Sequence, residues 1–468
     1  MKRYEDYQTV SSLWVDSLPT HWEFNKLRSI FWQRKEKNDP VKTKEILSLS
    51  AKAGVELYSQ KTHGGGNKAK DDITKYNIAH EGDLIVNCMN VISGSVGLSK
   101  YYGAISPVYY ALVTRNENFN RDYYHYVFKI EPFQKSLLPL GRGILMHESS
   151  TGKLNTIRMQ ISMSDFNNVN LPVPPRDEQD QIVRYLDWRV SKINHLIHGY
   201  QKQINLLDER KTTVINQAVT HGIHADVEMQ AVEANWVKEI PAHWQFNKVK
   251  QHFEIKKRIA GKEGYDVISI TQQGLKVKDI ASNEGQMAAN YSKYQFVYPG
   301  DYAMNHMDLL TGFIGLSDIF GVTSPDYRVF SAIDVERTDL KYFLYVFQLG
   351  YKRKIFYGLG RGAANKGRWR MPAINFKNYD IPVPPIEEQR EIVEYIEQET
   401  EKIDLLKREV EKQIEYLREY RTRLISDVVT GQIDVRDVVI PEYTPEEDTE
   451  IDTDDIGEGA EEVAEDAE

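Results

Sequence analysis

The chain has 468 residues, 41% hydrophobic and 27% charged, which is the composition of a globular protein with material for about three domains. It contains no run of about 20 apolar residues that could cross a membrane, and the N-terminal MKRYEDYQTV lacks the apolar core of an export signal. A single cysteine, Cys88, excludes an internal disulfide and a cysteine-based zinc site. We therefore expect a cytoplasmic protein.

The net charge of −10 is concentrated at one end of the chain. From Glu442 onward there are about fourteen carboxylates and no basic residue, so the rest of the chain is near +4. Residues 441–468 are predicted to be a disordered acidic tail, with mimicry of DNA as the alternative. The mildly basic body is compatible with nucleic-acid binding.

The two halves of the chain repeat the same phrases in the same order. WVDSLPTHWEFNK begins at Trp14, and WVKEIPAHWQFNK begins at Trp236. The later phrases recur as EGDLIVNCMN at Glu81 and PGDYAMNHMD at Pro299, and as LGRG at Leu140 and Leu359. The chain is therefore predicted to be a tandem duplication.

Each half begins with a globular part of mixed character, over 1–170 and 235–380. Short β-type runs bounded by Gly, Pro and Asn include ILSLS at Ile46, DLIVN at Asp83 and VISI at Val267. Near the end of each part comes an aromatic segment typical of a helix, RDYYHYVFKI at Arg121 and LKYFLYVFQL at Leu340.

A long helix is predicted after each globular part, within 171–234 and 381–440. The proline strings LPVPP and IPVPP should break regular structure and hold an extended linker, and Gly222 and Gly431 should end the helices. Apolar residues then alternate at spacings of four and three, as in a coiled-coil seam. The seam residues are Leu186, Val190, Ile193, Ile197, Ile204 and Leu207, and Ile396, Ile403, Val410, Ile414, Leu417 and Leu424. We expect each helix to pair with the other.

Catalytic motifs are nearly absent. The sequence has no GxxxxGK[ST] phosphate loop and no Asn/Asp-Pro-Pro-aromatic box of an adenine methylase. Asp326, Asp339 and Lys341 match the carboxylate–lysine pattern of metal-dependent nucleases loosely, and the first half has no counterpart. His221 and His224 have metal-ligand spacing without further ligands, so we predict no catalytic residue and no metal site.

The residues suited to nucleic-acid recognition lie in glycine-containing loops and just after a strand. Arginine can bond both acceptors of guanine, asparagine can bond both groups of adenine, and lysine more often contacts phosphate. The candidates are Lys61, His63, Asn67, Lys68, Lys70, Asn87, Asn90, Arg142, Lys153 and Asn155, and then Asn305, His306, Arg361, Asn365, Lys366, Arg368 and Arg370. Because the two LGRG loops recur at matching places, we favour binding over a solvated-loop interpretation there.

Four motifs occur in both halves, as far as about residue 440: W-V-x-x-[LI]-P-x-H-W, a G-D strand, a G-R-G loop and [LI]-P-x-P-P-x-x-E-Q. The best local matches are Glu178-Gln179 with Ile182-Val183 and Glu388-Gln389 with Ile392-Val393. Because these motifs occur together and in this order, the chain resembles the specificity subunits of type I restriction–modification systems. The acidic tail is not a general feature of that family.

The resemblance implies an α+β fold. Two duplicated mixed α/β target-recognition domains would be joined and separated by two long antiparallel coiled-coil helices, with approximate two-fold symmetry. It also implies a non-catalytic subunit that reads a bipartite, asymmetric double-stranded DNA site. Two adenine-N6 methyltransferase subunits and the restriction subunits would be positioned on that site. S-adenosylmethionine, ATP and Mg are expected in those partners, and no cofactor is expected in this chain.

Two other functions are considered from the residues alone. One is a coiled-coil scaffold for proteins without DNA readout, against which the duplicated Arg/Gly loops argue. The other is a self-contained nuclease or methylase fused to recognition domains, against which the missing motifs argue.

Overall fold

The computed structural model describes residues 2–50, 53–60, 72–89, 95–144, 158–279, 290–362 and 369–445. The chain forms two units. Of the described residues, unit 1 comprises 2–199 and 413–445, and unit 2 comprises 200–412. Each unit contains one of the two predicted globular parts and a portion of each long helix.

Unit 1 contains fourteen short strands and four short helices in its described residues. The strands are β1 (Tyr7–Thr9), β2 (Ser17–Pro19), β3 (Glu23–Lys26), β4 (Phe31–Arg34), β5 (Leu47–Ser50), β6 (Gly54–Leu57), β7 (Asn77–Ala79), β8 (Leu84–Asn87), β9 (Val96–Leu98), β10 (Gly103–Ile105), β11 (Tyr109–Thr114), β12 (Arg142–Ile144), β13 (Arg158–Gln160) and β14 (Asn170–Val173). The short helices are α1 (Leu27–Ile30), α2 (Arg121–Lys129), α3 (Glu131–Ser136) and α4 (Met163–Phe166). The main sheet is antiparallel, in the order β4-β11-β8-β9, and the other strands form two-stranded pairs.

The first long helix, α5 (Arg176–His221), leads from unit 1 into unit 2. The strands of unit 2 are β15 (Met229–Ala231), β16 (Glu239–Pro241), β17 (Gln245–Lys248), β18 (Phe253–Lys256), β19 (Ile268–Thr271), β20 (Gly274–Val277), β21 (Gln295–Val297), β22 (Tyr302–Met304), β23 (Ile314–Leu316), β24 (Gly321–Thr323), β25 (Arg328–Ala332) and β26 (Asp380–Val383). Its short helices are α6 (Val249–His252), α7 (Leu340–Lys352) and α8 (Ala373–Lys377), and the second long helix is α9 (Ile386–Val429). The sheet β18-β25-β22-β23 has the same antiparallel topology as the main sheet of unit 1.

The core of each unit forms where the main sheet meets the aromatic helix predicted from the sequence. In unit 1, Phe31 of β4 contacts Tyr124 of α2 edge to face, with ring centroids 5.3 Å apart. In unit 2, Phe253 of β18 contacts Phe343 of α7 in the same way, at 5.1 Å. Both helices are therefore part of the hydrophobic core.

The long helices have the predicted bounds. They contain 46 and 44 residues, and each starts directly after a Pro-Pro pair. Gly222 and Gly431 follow their ends with φ of 76° and 70°, a backbone conformation in which a residue with a β-carbon is strained. Among the described residues, neither these helices nor any shorter one has the length and apolar character needed to cross a bilayer.

The paired portions of α5 and α9 are antiparallel within each unit. In unit 2, Lys211 contacts Asp404 at 2.7 Å and Asp208 contacts Lys407 at 2.8 Å, so the partner position moves back along α9 as α5 advances. In unit 1, Arg421 donates to Asn194 at 2.7 Å. Basic residues that interrupt the apolar seam thus have polar partners on the opposite helix.

The predicted seam is largely removed from water. Nine of its twelve residues are buried, and Val190, Ile204 and Leu417 are half-buried. The burial of the apolar stripe between two helices is the arrangement expected of a coiled-coil seam.

The expectation that the proline strings break regular structure is wrong for Pro172 and Pro382 only. The Pro174-Pro175 and Pro384-Pro385 pairs lie between a strand and a helix, as expected. Pro172 lies in β14, opposite Phe24 of β3, and Pro382 lies in β26, opposite Phe246 of β17. Each pair has only two strands, which leaves one side of each strand without a ladder partner. A proline, which has no N–H to donate, is tolerated there. The linker is extended, as expected, and is also paired.

Residues that follow α9 complete unit 1 by contacting its N-terminal residues. The Asp434 amide donates to the Lys2 carbonyl at 3.0 Å, and Lys2 Nζ lies 2.5 Å from Asp437 Oδ2. The Tyr7 hydroxyl donates to the Gly431 carbonyl at 3.0 Å. Unit 1 is therefore assembled from both ends of the described chain.

The glutamine of each E-Q motif joins a long helix to the rest of its unit. Gln179 accepts from the Asn120 amide at 2.8 Å and donates to the Pro174 carbonyl at 2.8 Å. Gln389 accepts from the Asp339 amide at 2.8 Å and donates to the Pro384 carbonyl at 2.9 Å. Both glutamines are fully buried, so each fixes the first turn of its helix against the start of the aromatic helix.

The preceding glutamate binds the H-W phrase that opens each half. Glu178 accepts from the Tyr4 hydroxyl and from Trp22 Nε1 at 3.0 Å, and its Oε2 lies 2.9 Å from His21 Nε2. Glu388 lies 2.7 Å from His243 Nε2, but Trp244 Nε1 is buried without a partner. The carboxylate of unit 1 thus satisfies more buried donors than that of unit 2.

We predict that Glu178→Ala lowers the free energy of unfolding by about 2–4 kcal/mol, because it leaves the Trp22 and Tyr4 donors buried without an acceptor. Glu388→Ala should cost about 1 kcal/mol, since only one half-exposed histidine loses its partner. Urea unfolding followed by fluorescence measures both. The matched controls are Asp177→Ala and Glu387→Ala, which remove exposed carboxylates from the same helical turns. Equal losses in all four variants would contradict this account.

Candidate nucleic-acid interface

Each LGRG phrase forms one side of a hairpin base. In unit 2, Arg361 and Arg370 exchange backbone hydrogen bonds of 2.8 and 3.2 Å. In unit 1, Arg142 of β12 lies opposite Gln160 of β13. Residues 145–157 and 363–368 lie outside the described residues, so the described part of each hairpin is its base. The two G-R-G phrases therefore occupy equivalent places in the two units.

Close packing explains why the LGRG phrase of unit 2 has a glycine at position 360. The Trp369 ring lies on Gly360, where an added β-carbon would be 2.2 Å from Nε1. The Trp369 Nε1 donates to the Tyr357 carbonyl at 2.6 Å, and the two rings stack with centroids 5.3 Å apart. Only glycine allows the two strands of this hairpin base to approach so closely.

The described arginines of the hairpin bases are exposed. Arg142 has an 80% exposed side chain that lies 3.3 Å from Asp165, and Arg361 and Arg370 are exposed in unit 2. These three residues are available to an external partner. The other hairpin and loop candidates lie outside the described residues: Lys61, His63, Asn67, Lys68, Lys70, Asn90, Lys153, Asn155, Asn365, Lys366 and Arg368.

Asn87, the last residue of β8, and Asn305, which follows β22, form turns. The Asn87 side chain is buried and accepts from the Met89 amide at 3.0 Å. The Asn305 side chain accepts from the Met307 and Asp308 amides at 3.2 and 3.3 Å. Their carbonyl oxygens fix the chain direction after the strand, as asparagine often does in turns. In this structure they act on the local backbone.

Beneath each hairpin base, one side chain braces an equivalent backbone carbonyl. In unit 1, the Tyr110 hydroxyl donates to the Ile161 carbonyl at 3.0 Å. In unit 2, Arg328 Nη2 donates to the Met371 carbonyl at 2.8 Å. Neither residue is among the candidates predicted from the sequence. An arginine at the start of the buried strand RVFSA was the available signal, because charged residues are rarely fully buried without a partner.

A backbone hydrogen bond also ties each hairpin to the turn after the main-sheet strand. The Ile161 amide donates to the Cys88 carbonyl at 3.1 Å, and the Met371 amide donates to the His306 carbonyl at 2.9 Å. Unit 1 thus has Cys88, Tyr110 and Gln160 at the places where unit 2 has His306, Arg328 and Arg370. The backbone is shared, and the side-chain chemistry differs.

The two sets of side chains have different electrostatics. Burial raises the pKa of the Cys88 thiol, so this side chain is neutral at pH 7. Burial, assisted by Arg328 and Arg370, lowers the pKa of His306 to about 3. Burial also lowers the pKa of Arg328 to about 10, so this guanidinium is still a cation at neutral pH. The floor of the unit 1 hairpin is neutral, whereas that of unit 2 is positively charged.

The loose nuclease pattern has a structural explanation. The Asp339 side chain caps α7 by accepting from the Lys341 and Tyr342 amides, and Asn120 caps α2 in the same way. His221 and His224 lie 4.0 and 3.6 Å from Glu239 and Glu391. Throughout the described ranges, no group of three His, Cys, Asp or Glu side chains is arranged to hold a metal ion.

We predict that Gly360→Ala forces Trp369 off the hairpin base and opens the Arg361–Arg370 hydrogen bonds. Hydrogen exchange of the peptide that spans these two amides should become faster. Gly358→Ala is the matched control, because a β-carbon there has no neighbour within 4 Å. Unchanged exchange in Gly360→Ala would show that this packing does not hold the hairpin closed.

The chain matches one family model and is similar to proteins of one kind. A family model described as type I restriction modification DNA specificity domain matches residues 19–206 and 241–416. The type I restriction enzyme MjaVIII specificity subunit of Methanocaldococcus jannaschii is 23% identical over 381 residues, which are 77% of this chain and 81% of that protein. The putative type I restriction enzyme MjaX specificity subunit of the same organism is 23% identical over 289 residues, 59% of this chain and 62% of that protein.

One solved structure gives a likeness of fold. It comes from work described as the structural basis underlying complex assembly and conformational transition of the type I R-M system. The match has a TM-score of 0.59 at 15% identity and covers 89% of this chain and 99% of that one. None of these comparisons supports a protein-only scaffold or a self-contained nuclease or methylase.

Proposed function

Because the chain belongs to the family of type I restriction–modification DNA specificity subunits, we propose that it reads a bipartite DNA site with one hairpin-bearing face in each unit. The observation that carries the proposal is the recurrence of an exposed arginine, Arg142 or Arg361, at the base of equivalent hairpins. Arginine is well suited to guanine in the major groove, and a rigid base holds it in a defined direction.

The two half-sites are proposed to differ in sequence. Arg142 lies opposite Gln160 in one hairpin base, and Arg361 lies opposite Arg370 in the other. Two surfaces with different donors and charge have different preferred partners, so the site need not be palindromic. A homodimer could not achieve this, because its two surfaces would be identical.

We also propose that the long helices bind two copies of a modification subunit. Large apolar side chains are exposed at equivalent positions of α5 and α9, which suits two equivalent protein contacts. Leu196 and Leu406 are 51% and 53% exposed, and Leu206 and Tyr416 are 64% and 61% exposed. The proposed occupants are adenine-N6 methyltransferases, with restriction subunits joining the same complex.

In this proposal the chain contributes recognition, and its partners contribute catalysis. Modification of a base inside a duplex requires the base to be extruded into an enzyme pocket, so the reading subunit need only place the enzyme. S-adenosylmethionine is assigned to the modification subunits, and ATP and Mg to the restriction subunits. No step of that chemistry is assigned to side chains of this chain.

The central experiment maps methylated sites for the chain in complex with its methylase. We expect Arg361→Ala to relax one half-site and Arg142→Ala to relax the other, each with a loss of about 1–3 kcal/mol in binding. Arg337→Ala is the control, because that side chain is 87% exposed in unit 2 and contacts Asp334 of its own loop. If both hairpin variants keep both half-sites at full affinity, the hairpins do not read DNA.

A second experiment tests whether the helices set the spacer between the half-sites. Because Asn194 pairs with Arg421 in antiparallel register, one heptad is inserted after Leu196 and another after Arg418. This keeps the seam in phase and lengthens the paired helices by about 10 Å. We expect both half-sites to be preserved and the gap to grow by about one to three base pairs. The control inserts a heptad of the same composition near Val439, in the exposed residues after α9. Undiminished methylation at the original spacing would show that the helices do not measure DNA.

A further inference from the structure

Three side chains form a positively charged cluster under the hairpin base of unit 2. We call His306, Arg328 and Arg370 the cationic cluster. Arg370 Nε donates to His306 Nε2 at 3.4 Å, and Arg328 Nη2 donates to the Met371 carbonyl. His306 and Arg328 are only 6% and 5% exposed, whereas Arg370 is exposed. The cluster thus has a buried end and a surface end.

The buried end of the cationic cluster contains donors without acceptors. Because His306 Nε2 accepts from Arg370, the proton of this neutral imidazole is on Nδ1, and Nδ1 is buried without a hydrogen-bond partner. Arg328 Nη1 is likewise buried without a partner. A buried unsatisfied donor is costly, and a charged one more so, which favours any group that brings acceptors.

No acid of the described chain neutralises these arginines. Neither Arg328 nor Arg370 makes an ion pair with any described residue. The nearby Asp308 carboxylate accepts from the Leu310 and Thr311 amides. The cluster therefore offers two positive charges and a histidine donor with no negative charge in return.

The fold itself does not require this charge. At the equivalent place in unit 1, the Tyr110 hydroxyl braces the Ile161 carbonyl, and the neighbouring Cys88 and Gln160 are neutral. That neutral set supports the same hairpin base on the same backbone. A neutral side chain is therefore enough to hydrogen-bond this carbonyl. The positive charges of unit 2 require another explanation.

We infer that the cationic cluster is a binding site for one phosphate group, occupied by a phosphate of the DNA backbone when unit 2 is on its half-site. Arg370 makes the contact at the surface, and the buried Arg328 adds positive potential from behind. Phosphate supplies several acceptor oxygens and a negative charge, which are the two things that the cluster lacks. This assignment rests on the DNA-reading function proposed above, and it predicts that unit 1 has no phosphate site at the corresponding place.

The test uses the chain in complex with its methylase and the triple variant His306→Cys, Arg328→Tyr, Arg370→Gln, which introduces the side chains of unit 1. Each phosphate of the second half-site is replaced in turn by a neutral methylphosphonate. For the unmodified protein, we expect one position to weaken binding about tenfold. In the triple variant that position should have no effect, and the slope of log Kd on log salt should fall by about 1. Arg337→Gln is the control and should behave as the unmodified protein.

A second arm separates DNA phosphate from free phosphate. Thermal unfolding without DNA is measured in inorganic phosphate and in chloride at equal ionic strength. If phosphate stabilises the unmodified protein and not the triple variant, while all methylphosphonate positions affect both proteins equally, the assignment to DNA is overturned. If neither arm distinguishes the two proteins, the phosphate site itself is overturned.

If the proposed DNA-reading function is wrong, the experiment gives a different result. An unmodified complex that binds no DNA would refute the DNA-reading function, and the phosphate arm would still test the cluster. Should the triple variant not fold, Arg370→Gln alone replaces it, because that side chain is exposed and its removal breaks no ion pair. Binding to the first half-site, which is unchanged in every variant, reports that the complex is intact.

Discussion

The rest of the structure depends on how each long helix begins. A buried glutamine holds the first turn of α5 or α9 against the cap of α2 or α7. The adjacent carboxylate holds the same turn against the H-W phrase. Since the aromatic helix packs on the main sheet and the sheet leads to the hairpin, these few hydrogen bonds set the direction of the helix relative to the hairpin of its own unit. A long helix would transmit any error in that angle to its far end.

Much of the fold could be predicted because proline, glycine and the spacing of apolar residues mark its long helices. The Pro-Pro pairs and Gly222 and Gly431 mark the helix ends, and the seam spacing identifies the buried stripe. The E-Q and H-W motifs were recognised as family features, but their purpose was not, because Glu178 and Trp22 meet only in three dimensions. The pairing of Pro172 in a strand was missed for a related reason. Local propensity does not reveal that the partner strand has a free side.

The candidate site was harder to predict than the fold. Loop composition found the exposed Arg142 and Arg361, since glycine and arginine stand out in sequence. It also predicted Asn87 and Asn305, and their side-chain oxygens accept hydrogen bonds within turns. Arg328 and Tyr110 were not predicted, because the sequence of a strand does not show which loop its side chains contact. A duplication helps here, since the two units show which features the backbone requires and which can vary.

The contacts between Lys2 and Asp434, and between Tyr7 and Gly431, have a consequence for biosynthesis. A ribosome releases a chain from its N-terminus, and domains that come first usually fold first. Among the described residues, unit 2 is built from one stretch, 200–412, but unit 1 also needs residues 413–445. The unit that is synthesised first is therefore completed last. Until the end of α9 is synthesised, the apolar residues of unit 1 that cover it are exposed to water. The nascent chain therefore passes through a state in which unit 2 is complete and unit 1 is incomplete.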